Sequence, residues 1–228
     1  MELAPSVTTP VAVTFLSPLT METTFVETVD ELAQGDGTNS LLCPIINSST
    51  KGNHLNKIIL ATILALGLAP QAQASLAPYE ELLETVNKAG VSVYINPPVC
   101  FGKESNFDGY YHSTERVLVV CQDNAKRAGQ NVAWTDNDLD TIRHEVHHMV
   151  QDCVSGTIAD GQLGIFFDDK ETYVKFVTNS IGEERARAIV EAYSDTSAHT
   201  RALELEAFSV AETVSPGTIK NAVAKFCF

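Results

Sequence analysis

Basic side chains are scarce in this chain. Its 228 residues carry 15 Lys and Arg against 29 Asp and Glu, a formal net charge of −14. No basic stripe is left for nucleic acid or an anionic membrane surface, so neither partner is expected. Long apolar runs are missing too. The stretch Ile58–Leu68 falls well short of the about 20 apolar residues that span a bilayer, which argues against stable membrane insertion. The five cysteines include no C-x-x-C pair, so cysteine ligation of a metal is disfavoured. No internal repeat is visible.

Met1 to His54 is poor in charge and rich in Thr, Ser and Pro, with no periodic core pattern. It reads as a low-complexity or misannotated leader. Residues 55–74 follow a different plan. Lys57 precedes the apolar run, and Ala72-Gln-Ala74 forms a small-x-small cleavage site, the order of a secretory signal peptide. Initiation at Leu55 would put that signal at the start of the chain. Cleavage near Ala74–Ser75 would release residues 75–228, about 154 residues and enough for one domain with a real core. The expected location is secreted or periplasmic. Cys43 falls upstream of the cut. The remaining four, Cys100, Cys121, Cys153 and Cys227, suit two disulfides in an exported domain. Of the three pairings, Cys100–Cys121 with Cys153–Cys227 is preferred.

The strongest motif is His144-Glu145-Val146-His147-His148, an H-E-x-x-H pentapeptide. It sits in a segment, Trp134 to Cys153, that reads as one helix. Thr135 is placed to cap it with Asp138 three residues on, acidic residues crowd its positive end, and Gly156 is placed to stop it. Leu139, Ile142, Val146, Met149, Val150 and Cys153 form an apolar stripe at helical spacing. His144 and His148, one turn apart, fall nearly opposite that stripe, on the side expected to face a cleft. Two imidazoles so placed can ligate one zinc ion, with Glu145 beside them to act on a bound water. His147 lies off the ligand face.

A zinc centre that does chemistry needs a third protein ligand and an open position. The best donors downstream are Glu204 and Glu206, on a helix expected to start at Thr196 or Ser197. Glu206 has Ala202, Leu203, Ser209 and Val210 on its own face. These small or apolar neighbours admit a second helix and make a bare carboxylate costly there. Glu206 is therefore favoured as the ligand. Glu204 shares a side with Arg201 and reads as surface or outer support.

These motifs resemble the gluzincin group of zinc metallopeptidases, in which an H-E-x-x-H helix is followed by a helix supplying a glutamate ligand. The matching positions are His144, Glu145, His148 and Glu206, the last within Glu-Ala-Phe-Ser-Val-Ala. The resemblance spans about Val91 to Val214. Val210 departs from the acidic residue that some members carry four places after the ligand. Gln151 and Val154 stand where a metzincin would have its glycine and third histidine. The resemblance implies an α+β zincin-like domain: a short sheet packed on the active-site helix, followed by a helical C-terminal half. It implies one catalytic Zn2+ bound by His144, His148 and Glu206, with Glu145 as general base in peptide bond hydrolysis. The partner would be a peptide or protein substrate, pairing with an edge strand above the metal. Tyr193, His199, Tyr173 and Arg201 are the candidates to stabilise the oxyanion. The alternative is a zincin-like binding or scaffold domain that cleaves nothing.

The remaining elements follow from periodicity. A helix is expected over Tyr79–Ala89, strands over Val91–Asn96 and Arg116–Cys121, and a short edge strand over Gly109–Tyr111. Helical stretches are expected near Lys170–Thr178 and Glu183–Tyr193, and a last helix is opened by Ser215-Pro216.

Overall fold

The computed structural model describes residues 75–228 apart from positions 104 and 157. The expected leader (1–54) and signal segment (55–74) lie outside the described residues. The first helix, α1 (Ala77–Lys88), carries Pro78 in its first turn and buries Tyr79, Leu82 and Val86. Gly90, at φ 88°, turns the chain out of it. Strand β1 (Ser92–Ile95) leads into a single 3-10 turn over Pro98–Phe101. Strands β2 (Gly109–His112) and β3 (Val117–Val120) complete a three-stranded sheet in the order β1-β3-β2. β3 is central, parallel to β1 and antiparallel to β2, with Leu118 opposite Val93 on one side and Tyr111 on the other. Its apolar run Leu118-Val119-Val120 is buried, as expected of a strand covered on both sides.

The long helix α2 (Asp136–Ser155) begins at the predicted cap. The Thr135 hydroxyl accepts from the Asp138 amide, and the Asp138 side chain accepts in return from the Thr135 amide. All six residues of the predicted apolar stripe are buried. They pack against β2 and β3 on one side and against two later helices on the other. Helix α3 (Lys170–Ala192) breaks at Gly182, whose φ of 74° and ψ of 159° leave helical geometry. This divides it much as the two expected stretches were divided. Helix α4 (Ala198–Thr213) is capped by Ser197, and α5 (Pro216–Phe226) by Ser215 with Pro216 in its first turn. The class is α+β, with helices dominating the C-terminal half.

Apolar packing falls into two clusters. One joins α1, the sheet, α2 and α5 with Val210 of α4; the other joins α3 and the rest of α4. Helix α4 packs on both α2 and α3, so the seam between the clusters runs along the α2–α4 contact. The motif histidines lie on that seam.

Both preferred disulfides are formed, Cys100–Cys121 and Cys153–Cys227. The second bridges 74 positions in sequence and ties the end of α2 to the C-terminus. In the chain-entropy picture a loop of that length contributes about 4 kcal/mol, against about 3 kcal/mol for the shorter one. Reduction should therefore lower the melting temperature substantially. Cys153→Ala with Cys227→Ala should account for more of that loss than Cys100→Ala with Cys121→Ala, as differential scanning calorimetry would show.

Candidate metal centre

His144 and His148 project from consecutive turns of α2 and bring their Nε2 atoms within 3.0 Å of each other. The carboxylate of Glu204, from α4, straddles them. Its Oε2 lies 3.3 Å from His144 Nε2 and its Oε1 3.5 Å from His148 Nε2. These three side chains form the metal-capable group among the described residues. Ligand bonds of about 2.0–2.2 Å at tetrahedral angles put ligand atoms roughly 3.3–3.5 Å apart. The observed separations lie close to that. Two neutral imidazoles and one carboxylate are also a fitting donor set for zinc.

The expected third ligand is corrected by this arrangement. Glu206 does not reach the pair. It turns to the other side of α4, where its Oε1 lies 2.6 Å from His147 Nε2. Its two oxygens also accept from the Phe166 amide at 3.2 and 3.1 Å. Residues two apart on a helix point about 200° apart, so Glu204 and Glu206 cannot serve one site. Glu204 is not a surface ion pair either. It is completely buried, and Arg201 instead donates to the Thr196 carbonyl. His147 is no bystander, since it holds Glu206 while its ring lines an apolar cavity of about 170 Å³ with Phe166, Val150 and Ile219.

Burial governs the electrostatics. His144 and His148 are 1% exposed and Glu145 and Glu204 are at 0%, so these four side chains are closed off from solvent. Desolvation pulls the His148 pKa down to about 4, against the opposing pull of the Glu204 charge. His148 is therefore neutral at physiological pH, the form that ligates. Desolvation, reinforced by the Glu204 charge, raises Glu145 well above the usual carboxylate range. Among the described residues neither Glu145 oxygen is within ordinary hydrogen-bond geometry of a partner, and the Tyr111 main chain only partly offsets the shift.

Strand β2 closes over this carboxylate at Gly109. A Cβ placed there would come within 2.7 Å of both the Val119 carbonyl and Thr141 Cγ2, and within 3.3 Å of Glu145 Cγ. The backbone can approach the motif helix only because position 109 has no side chain. Gly109→Ala should destabilise the protein by about 1–3 kcal/mol through overpacking, measured as a lower denaturant midpoint.

An aromatic layer covers the other side. Phe208 packs edge-on 4.5 Å from the His144 ring, and Tyr193 lies 6.5 Å from Phe208. Of the four oxyanion candidates, three bond to main-chain carbonyls: Tyr173 to Ala202, His199 to Leu163 and Arg201 to Thr196. Tyr193 belongs to the layer over the site. Tyr111 is buried and donates to Asp152 Oδ2 at 2.6 Å. Tyr110 packs edge-on against Phe107.

Sequence reasoning passed over three residues that shape the centre: Gln151, Gly109 and the His147 partner of Glu206. Only Gln151 carried a usable signal, since it lies three residues after His148 and so shares its helix face.

The family described as a domain of unknown function, DUF8637, matches residues 76–228. The chain belongs to this family. No curated protein and no solved structure matches the chain. The matched span contains the metal-capable group and both disulfides of this chain.

Proposed function

We propose that this DUF8637 protein is an exported zinc-dependent peptidase. The observation that supports it most is the convergence of His144, His148 and Glu204 beside a completely buried Glu145. A site that only stabilised the fold would have no use for a buried base. Zinc, when bound by the two imidazoles and the Glu204 carboxylate, would supply Lewis acidity toward water and the scissile carbonyl. Glu145 would take the water proton and deliver it to the leaving amine, a task suited to a carboxyl that burial makes more basic. An extended peptide would pair along β2, the outer strand of the sheet nearest Glu145. A further side-chain donor would stabilise the developing oxyanion. Two disulfides fit an oxidising compartment, and among the described residues no helix is long and apolar enough to cross a membrane. Export would follow cleavage near Ala74–Ser75.

A second reading has its own support. The four site residues are at most 1% exposed, so substrate reaches them only after a displacement. Such burial suits a metal retained for stability on a binding or scaffold domain. The two readings part in one experiment. The full chain is produced by export with its disulfides formed, its intact mass locates the N-terminus, and its zinc content is measured by elemental analysis. It is then incubated with a peptide library. Zinc-dependent cleavage supports the peptidase. One zinc per chain without any cleavage favours the structural reading. No zinc in folded protein sinks the peptidase and leaves the motif on a metal-free binding domain.

A further inference from the structure

Gln151 lies on the same face of α2 as His148 and makes three connections. Its Oε1 is 2.7 Å from His148 Nδ1. Its Nε2 donates to the Leu203 carbonyl at 3.1 Å. Its main-chain carbonyl accepts from the Gly164 amide at 2.9 Å. The side chain is completely buried, so none of these bonds competes with bulk water.

The chemistry of the groups settles the direction of every proton in this chain. A main-chain carbonyl only accepts, so the amide nitrogen of Gln151 must face Leu203. Its oxygen therefore faces the imidazole. That oxygen only accepts, so His148 Nδ1 must carry a proton. A neutral imidazole protonated at Nδ1 presents a lone pair at Nε2. Nε2 is the atom turned toward Glu204 and His144. The same amide also links α2 to α4 at Leu203, the residue before Glu204. Among the described residues His144 has no equivalent support, since its Nδ1 is buried without a hydrogen-bond partner there.

We propose that Gln151 is a positioning residue: it fixes His148 in its ligating tautomer and, through Leu203, seats Glu204 opposite it. The inference rests on the metal-centre reading above. It predicts that ligand geometry on the His148 side is set before metal arrives, and that one uncharged amide couples the two ligand helices. An outer partner of this kind typically accounts for 10–100-fold in metal affinity.

Two variants of the full chain test it. Gln151→Met removes both side-chain bonds at similar volume, and Gln151→Glu keeps the acceptor for Nδ1. Zinc affinity is measured by competition with a chromophoric chelator, and the His148 tautomer by two-bond proton–nitrogen NMR of metal-free protein labelled at histidine nitrogens. Wild type should show the Nδ1–H form. Gln151→Met should shift toward Nε2–H and lose about 10–100-fold in zinc affinity. Gln151→Glu should hold the Nδ1–H form and bind zinc more tightly than Gln151→Met. If Gln151→Met does not fold, the wild-type and Gln151→Glu spectra decide, and an Nε2–H signal in either overturns the assignment. A folded Gln151→Met that binds zinc within twofold of wild type overturns the positioning role alone. Wild-type protein that binds no zinc overturns the metal reading itself, whatever the variants do.

Discussion

Glu204→Ala protein is expected to lose stoichiometric zinc, whereas Glu206→Ala protein should keep its zinc and lose stability. The two glutamates are equally buried and only two residues apart, yet they face different partners. Glu204 completes the group with His144 and His148. Removing one of three protein ligands should weaken zinc binding by ~100-fold or more, beyond the loss that an outer partner causes. Glu206 instead holds His147 and the Phe166 amide. Truncating it strands a buried imidazole and a main-chain donor, which should cost about 3–5 kcal/mol as for other buried pairs broken on one side. Elemental analysis and calorimetry on the two variants separate these effects. Zinc retained in Glu204→Ala but lost in Glu206→Ala would reverse the assignment.

Glu145→Gln should retain zinc and lower peptide hydrolysis by roughly 10²–10⁴-fold, the usual contribution of a positioned general base. The amide keeps the volume of the side chain and removes its ability to take a proton. The same substitution makes a prediction for metal-free protein. Burial and the Glu204 charge raise the Glu145 pKa in the folded state. The folded state therefore binds the proton more tightly than the unfolded one. The stability associated with the protonated carboxyl is fully present below the unfolded pKa, near the ordinary carboxylate value, and is lost as pH rises through the folded one. Glutamine mimics the protonated carboxyl at every pH. Metal-free Glu145→Gln should thus melt higher than metal-free wild type at pH 8, with the gap narrowing at pH 5. His148, lowered to about 4, loses its contribution as pH falls below its ordinary value, but it does so in both proteins and cancels in the difference. An equal gap at both pH values would mean that Glu145 is charged in the folded protein throughout.

Much of the frame was legible before any coordinates. Thr135, Asp138, Ser197 and Ser215 act locally, through bonds to amides a few residues away, and Pro216 through its fixed φ, so their roles survive any tertiary arrangement. The apolar stripe of α2 and the run in β3 were read correctly because each element has a buried side whose period the residues follow. The disulfide pairing was chosen from three by placing cysteines at the ends of expected elements, and those ends were close to right. What failed was Glu206. The residues Ala202 to Ala207 are all buried, since α4 lies between α2 and α3. A helix covered on two sides has no polar face to mark its orientation. Small and apolar neighbours beside Glu206 meant only that some helix came close, and it was His147 rather than a metal ligand pair that met the carboxylate.

The sequence by itself determined the pair of histidines on one helix face, the carboxylate between them, the helix that would bring a third donor, and the four cysteines that close two loops. Those follow from spacing along one chain, because a helix repeats every 3.6 residues whatever surrounds it. Only the tertiary structure decided that Glu204 completes the group, that Gln151 orients His148, that Gly109 lets β2 close over Glu145, and that the centre is buried. Each of these depends on the rotation and distance between packed elements, which no spacing within one element encodes.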